Sequence, residues 1–221
     1  MKYTKDEIRK AMLLYAVTDR SWLQEGQKLA DVVKCVLENG ATFLQLREKE
    51  LPQDEILEEA KRLKILCNEY RVPFVVNDSV EIALACDTDG VHVGQSDIRD
   101  RDIRAIIGED RILGMTARTV EQAVAAEKAG ADYIGVGAVF GTTTKRDARA
   151  MTLDRLEEIC AAVAIPVVAI GGIGLHNIDQ LAGKGMAGAA VVSGIFAAED
   201  PGAATAELLK KAQKAVGVTA V

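Results

Sequence analysis

Short apolar runs rich in β-branched residues alternate with longer stretches of helical spacing from one end of the chain to the other. The runs at 13–17, 43–47, 74–77, 90–93, 112–116, 133–136, 167–170 and 189–193 predict strands. Between them, segments such as 28–38, 52–69, 120–129, 153–162 and 177–184 place apolar residues at helical intervals. Strand and helix alternating through short turns implies a parallel sheet with right-handed crossovers. Eight such units in 221 residues point to the α/β class and a closed (β/α)8 barrel of the TIM type, with a doubly wound sheet as the alternative.

Local signals sharpen this picture. Thr4 and Glu7 have capping-box spacing just before Ile8, which predicts an extra N-terminal helix ahead of the first strand. Gly40, Gly130 and Gly185 each follow a helical run, where a left-handed stop favours glycine. The phrases Glu38-Asn39-Gly40-Ala41, Lys128-Ala129-Gly130-Ala131 and Lys184-Gly185-Met186-Ala187 look alike, as successive βα units often do. No Pro/Ser-rich linker or shift in composition divides the chain, so residues 1–221 read as one barrel domain.

Composition then narrows the partners. Hydrophobic residues at 49% and charged residues at 27% give the balance of a soluble globular protein. A formal charge of −6 repels phosphate backbones, which disfavours nucleic acid and anionic membranes as partners. A small anionic substrate stays open, because a few basic groups in one pocket outweigh a distant average. Cys35, Cys67, Cys86 and Cys160 contain no C-x-x-C pair and read as inert thiols of a reducing compartment. The charged N-terminus lacks the apolar core of a signal peptide, and no uncharged stretch is long enough to span a bilayer, so a cytoplasmic protein is expected.

Candidate chemistry lies where polar residues interrupt the strand ends, since active sites of such barrels form at the carboxyl ends of the strands. In Gln45-Leu46-Arg47-Glu48-Lys49 the pleat turns Gln45, Arg47 and Lys49 to one face and Leu46 and Glu48 to the other. Two cations and an amide on an inward face call for an anionic partner, which a diphosphate would supply; a solvated strand end with Arg47 paired to Glu48 or Glu50 is the alternative. Asn77-Asp78 and Gln95-Ser96-Asp97 follow the next two strands. Asp78 and Asp97 on adjacent strand ends suit Mg²⁺, which takes one or two carboxylates plus phosphate oxygens; either could instead cap the following helix. His92, between Val91 and Val93, reads as structural. The loop Gly141-Thr142-Thr143-Thr144-Lys145-Arg146-Asp147 has the hydroxyls and lysine of a phosphate-binding lid, or of a generic surface loop. Gly171-Gly172-Ile173-Gly174 after the seventh strand and Val192-Ser193-Gly194 after the eighth occupy the positions where this fold commonly holds a phosphate. Two anion sites favour an enzyme with two phosphorylated substrates.

These residues, in order and spacing, resemble the thiamin phosphate synthase family along nearly the whole chain. The stretches that carry the resemblance are Tyr15-Ala16-Val17-Thr18-Asp19, Gln45 to Lys49, Asn77-Asp78, Gly90 to Asp97, Thr142 to Lys145 and Ala169 to Ile173. The resemblance implies that Gln45, Arg47, Lys49 and Asn77 bind an aminopyrimidine diphosphate, with Thr116 and Lys145 also touching it. It implies that Asp78 and Asp97 hold Mg²⁺, and that Thr142, Thr144, Gly172, Val192 and Ser193 bind a thiazole phosphate. Diphosphate would leave first, giving a pyrimidine cation that the thiazole nitrogen attacks, with Arg47, Lys49 and Lys145 taking up the charge of the leaving group. The family usually has serine at Thr116, often histidine at Arg118, and prolines at Ala138 and Gly141; losing the prolines frees the threonine loop.

Two rivals remain. A thiazole tautomerase of the same fold would need a proton-transfer group, for which His92 and His176 are poorly placed, and it would leave Arg47, Asp78, Asp97 and Lys145 unused. A non-catalytic sensor of phosphorylated ligands would not need a Mg²⁺ pair. Exposed barrel helices often pair, so a homo-oligomer is compatible with either the enzyme or its rivals.

Overall fold

The computed structural model describes residues 2–94, 101–141 and 151–218. Its strands are β1 (Leu14–Val17), β2 (Phe43–Leu46), β3 (Phe74–Asn77), β4 (Gly90–Val93), β5 (Ile112–Ala117), β6 (Tyr133–Gly137), β7 (Val167–Ile170) and β8 (Gly188–Val191). Each pairs in parallel with the next, and β8 returns to β1 to close the barrel. The helices are α1 (Lys5–Ala11), α2 (Leu29–Glu38), α3 (Gln53–Tyr70), α4 (Val80–Ala85), α5 (Ile103–Ile107), α6 (Val120–Lys128), α7 (Leu153–Ala162), α8 (Ser193–Phe196) and α9 (Pro201–Val216).

The pleat sorts each strand into two apolar layers. Leu14, Ala16, Leu44, Leu46, Phe74, Val76, Val91 and Val93 join the large core between the strands and the helices. The alternate residues Tyr15, Val17, Phe43, Val75, Ile112, Tyr133, Val168 and Ala190 fill the barrel interior. Three of these are aromatic and meet edge to face or tilted, with Tyr15 4.5 Å from Phe43 and Tyr133 5.6 Å from Phe43 between ring centroids. Among the described residues the barrel interior is therefore packed with side chains.

The predicted N-terminal helix is present. The Thr4 side chain accepts from the Glu7 amide while Glu7 reaches back to the Thr4 amide, so both halves of the capping box form. Ile8 on α1 and Met12 at its C-cap are fully buried in the interior cluster with Tyr15 and Phe43. Lys2 bonds Asp89 just before β4, Arg9 donates to the Ala164 carbonyl before β7, and Thr42 before β2 donates to the Ala11 carbonyl. The helix thus lies across the amino ends of the strands and shuts the barrel there.

Two predicted elements differ. Residues 177–184 form only a 3-10 turn, Ile178–Leu181, because Gly183 and Gly185 both adopt left-handed backbone and stop any helix. Helix α9 packs against that turn and β8 and covers the strand instead. The predicted strand 189–193 stops at Val191, and Ser193 already opens α8.

Candidate active site

A closed parallel barrel brings every carboxyl end of a strand to one face, and there the pleat turns Gln45, Asn77, Thr116 and Val192 inward, in step with the interior residues of their strands. Gln45 is buried, its amide donating to the Tyr15 hydroxyl at 2.5 Å. Just above it Thr18, fully buried, bonds the backbone of Arg47: the Arg47 amide donates to Thr18 Oγ1 at 2.9 Å. Glu48 turns the other way, as the pleat predicts. Its carboxylate accepts from Arg20, which also donates to Glu59 on α3. Burial raises the Glu48 pKa and Arg20 opposes that rise. Of the alternative pairings of Arg47 with Glu48 or Glu50, the first is corrected, because Glu48 belongs to Arg20; Arg47 is half-buried beyond the strand end, and Lys49 and Glu50 behind it are exposed.

After β3, Asn77 donates to the Asp78 carboxylate at 2.5 Å. Asp78 has left-handed backbone (φ 63°), and its amide donates to the His92 carbonyl, tying the loop to β4. The capping alternative for Asp78 falls away, because Ser79 caps α4 by accepting from the Ile82 amide. Asp78 is exposed at the strand end, a hard oxygen donor of the kind Mg²⁺ takes, together with phosphate oxygens. Among the described residues no three His, Cys, Asp or Glu gather as a metal cage. A Mg²⁺ held by one or two carboxylates and the substrate does not need one. Gln95, Ser96, Asp97, Thr142, Thr144 and Lys145 lie outside the described residues.

His92, read from sequence as structural, faces the interior. Its Nδ1 lies 3.0 Å from the Tyr133 hydroxyl and its Nε2 lies 3.1 Å from Thr116 Oγ1. The Tyr133 hydroxyl lies 2.7 Å from that of Tyr15. Burial raises the pKa of both phenols, so they act as neutral hydroxyls. The sequence pattern by itself gives neither Tyr15 nor Tyr133 a role at the site. The available signal was glycine inside β-branched strands, at Gly114 and Gly135, which marks close approach. A Cβ on Gly114 would sit 2.3 Å from the Tyr133 hydroxyl and 2.6 Å from His92 Nδ1.

On the far side of the mouth, the loop after β7 is shaped by glycine. Gly171 and Gly172 have φ of 101° and 68°, and a Cβ on Gly172 would lie 2.0 Å from the Gly141 carbonyl oxygen. Buried Asn177 pins this loop, donating to the Gly172 carbonyl and accepting from the Gly174 amide. Gly194, after β8, approaches the same loop so closely that a Cβ would meet the Ile173 carbonyl oxygen at 2.7 Å. The loop after β7, which carries Gly172, thus lies close to the start of α8, where Val192 and Ser193 stand next to Gly194. A cavity of about 440 Å³ bounded by Arg101, Arg104, Met115 and Lys128 lies elsewhere, against the outward face of β5.

Comparison with known proteins decides the family. The sequence pattern described as thiamine monophosphate synthase matches residues 14–195. The chain belongs to the thiamine monophosphate synthase family. It is 45% identical over 195 residues to the thiamine-phosphate synthase of Clostridium tetani, covering 88% of this chain and 93% of the relative. It is 46% identical over 199 residues to that of Clostridioides difficile, covering 89% and 93%. The thiamine phosphate pyrophosphorylase of Pyrococcus furiosus superposes with a TM-score of 0.87 at 40% identity, over 95% of this chain and all of that one. Within the family frame, the described residues divide into a β2–β5 side, with Gln45, Arg47, Lys49, Asn77, Asp78 and Thr116, and a β7–β8 side, with Gly172, Val192 and Ser193.

Proposed function

We propose that this protein makes thiamin phosphate by joining an aminopyrimidine methyl diphosphate to a thiazole phosphate, with Mg²⁺ as cofactor. The observation that carries the proposal is the gathering of Gln45, Asn77, Asp78 and Thr116 with Gly172, Val192 and Ser193 at the carboxyl ends of the strands of one closed barrel, in a chain 45% identical over 195 residues to a thiamine-phosphate synthase. The carbon–oxygen bond to the diphosphate breaks with its electron pair going to oxygen, and the thiazole nitrogen then supplies the pair for the new carbon–nitrogen bond. No protein nucleophile is needed. His92 already engages both ring nitrogens within the barrel, and His176 is exposed, which speaks against a histidine proton shuttle of the tautomerase kind.

The chain's own residues would do the following. Gln45, Asn77 and Thr116 orient the pyrimidine; Arg47 and Lys49, with Lys145, take up the charge developing on the departing diphosphate. Asp78 and Asp97 would hold Mg²⁺, which when bound neutralises the diphosphate oxygens. Gly172, Val192 and Ser193, with Thr142 and Thr144, hold the thiazole phosphate. The acidic surface and the lack, among the described residues, of any helix long and apolar enough to cross a membrane support a cytoplasmic location.

The test is incubation of purified protein with both substrates, with and without Mg²⁺, following thiamin phosphate by mass. Metal-dependent product is expected, and Asp78→Ala or Lys145→Ala should lower turnover by ~10²-fold or more. Absence of product, or near-normal turnover in both variants, would refute the assignment.

A further inference from the structure

Gln45 and Thr116 stand on strands β2 and β5, yet an unbroken line of hydrogen bonds joins them through the barrel interior. The line runs from Gln45 Nε2 to the Tyr15 hydroxyl (2.5 Å), to the Tyr133 hydroxyl (2.7 Å), to His92 Nδ1 (3.0 Å), and from His92 Nε2 to Thr116 Oγ1 (3.1 Å). Tyr15 and Tyr133 are at most 1% exposed and His92 is 9% exposed.

Each link holds one proton, and each hydroxyl has only one to give. The Gln45 amide donates to Tyr15, so the Tyr15 proton points to Tyr133. The Tyr133 proton then has His92 Nδ1 as its acceptor, which places the imidazole proton on Nε2, facing Thr116. The Thr116 hydroxyl accepts that proton and turns its own away from the imidazole. The same chain can also run backward, with the Gln45 amide turned over and the imidazole proton on Nδ1. Any mixed arrangement puts two protons, or none, into one buried gap. The ends are therefore coupled: whichever way the line runs, it fixes what both Gln45 and Thr116 present.

We propose that Tyr15, Tyr133 and His92 are positioning residues that set the hydrogen-bonding polarity of Gln45 and Thr116 as one unit, and that this unit selects an aminopyrimidine over an oxopyrimidine. The proposal rests on the reading of Gln45 and Thr116 as pyrimidine contacts. With the Gln45 amide donating to Tyr15, the Gln45 carbonyl is the outward acceptor and the Thr116 hydroxyl is a donor. An aminopyrimidine edge offers the complement, an exocyclic N–H beside a ring nitrogen lone pair. The oxo analogue reverses both groups and fits only the backward line. Sequence makes room for the relay: His92, Gly114 and Tyr133 are register neighbours on β4, β5 and β6, and a Cβ on Gly135 would press on the imidazole at 3.2 Å.

Two measurements test this. The chain has two histidines, so ¹⁵N-histidine labelling with long-range ¹H–¹⁵N correlation, assigned with His176→Gln, reads the His92 tautomer directly. The Nε2-protonated form is expected in the wild type, and a mixture of tautomers in Tyr133→Phe. A wild-type imidazole that is Nδ1-protonated, or already mixed, overturns the proposal. Second, kcat/KM is compared for the amino and the oxo pyrimidine diphosphates. Tyr133→Phe should lower discrimination at least ~10-fold and raise KM for the pyrimidine while leaving KM for the thiazole phosphate within about twofold, a split that general loosening of the barrel would not give. Tyr15→Phe, which removes the Gln45 acceptor, should act alike and serves if Tyr133→Phe does not fold. Wild-type discrimination in a folded Tyr133→Phe or Tyr15→Phe protein overturns the relay when Gln45→Ala and Thr116→Val do impair pyrimidine use. If those two variants leave pyrimidine KM untouched, it is the underlying reading of the site that fails, and the relay's role in selection fails with it.

Discussion

Replacing Gly114 by alanine should be among the most costly single-methyl changes in this protein. The new Cβ would lie 2.2 Å from Tyr133 Cζ, 2.3 Å from its hydroxyl oxygen and 2.6 Å from His92 Nδ1. Neither ring can swing aside: Tyr133 is fully buried between Tyr15 and Phe43, with centroids 5.8 and 5.6 Å away, and its hydroxyl is bonded on both sides. Overpacking of this kind costs about 1–3 kcal/mol. Moving Tyr133 also breaks its bonds to Tyr15 and His92, each worth about 1 kcal/mol net. The sum is about 3–5 kcal/mol, a large part of the ~5–15 kcal/mol that holds a domain folded. For a chain of this length it corresponds to a fall in Tm of about 6–20 °C. Urea titration followed by far-ultraviolet circular dichroism measures the loss, with Gly135→Ala as the comparison. At Gly135 the nearest contact is 3.2 Å, to His92 Cε1, so that variant should lose less than about 1.5 kcal/mol. A Gly114→Ala protein within about 0.5 kcal/mol of wild type would mean that the interior is looser than these distances imply and that the relay is not held by packing.

Other perturbations follow from the same site. Arg20→Met leaves Glu48 and Glu59 together without a counter-charge and should cost about 2 kcal/mol at pH 8, discounted because Arg20 is about a third exposed. Since burial already raises the Glu48 pKa, its folded form takes up a proton before the unfolded chain does; the loss should therefore shrink as pH falls toward 5, and a pH-independent loss would contradict the argument. Asn177→Ala removes both bonds that pin the loop after β7 and should raise KM for the thiazole phosphate by ~10-fold with little change for the pyrimidine; equal changes in both would count against the division of the site. Burial pushes the Cys160 thiol up to about 11, so at pH 8 only ~10⁻³ of it is thiolate, and iodoacetamide should label it far more slowly in native than in urea-unfolded protein, read by peptide mass.

The barrel was legible because its strands are nearly continuous apolar runs, and because period-2 and helical patterns alternate without interruption. Gln45 was legible for a related reason: an amide inside such a run must meet a polar partner. What alternation cannot show is which inward residues meet across the barrel. Tyr15 and Tyr133 are 118 positions apart, and only closure of the sheet sets their hydroxyls 2.7 Å from each other. The same holds for Glu48, whose partner Arg20 stands 28 positions earlier, at the end of the neighbouring strand, so that a reading confined to residues 45–50 offered it the wrong cation. Helix α9 carries legible signals of its own, an Asp200 N-cap followed by Pro201 in the first turn and Gly217 at the end. At 177–184 the pattern looked helical because its apolar residues face the core, but two left-handed glycines outweigh that spacing.

Helix α1 has a consequence for traffic. With Ile8 and Met12 driven into the amino end of the barrel and an aromatic layer above them, the vessel is a cul-de-sac. Among the described residues the amino end is closed, so nothing that reaches the carboxyl ends of the strands passes on through the barrel. In a reaction that takes in two molecules and gives out two, substrates and products then share that face, and a product still bound there stands in the way of the next substrate.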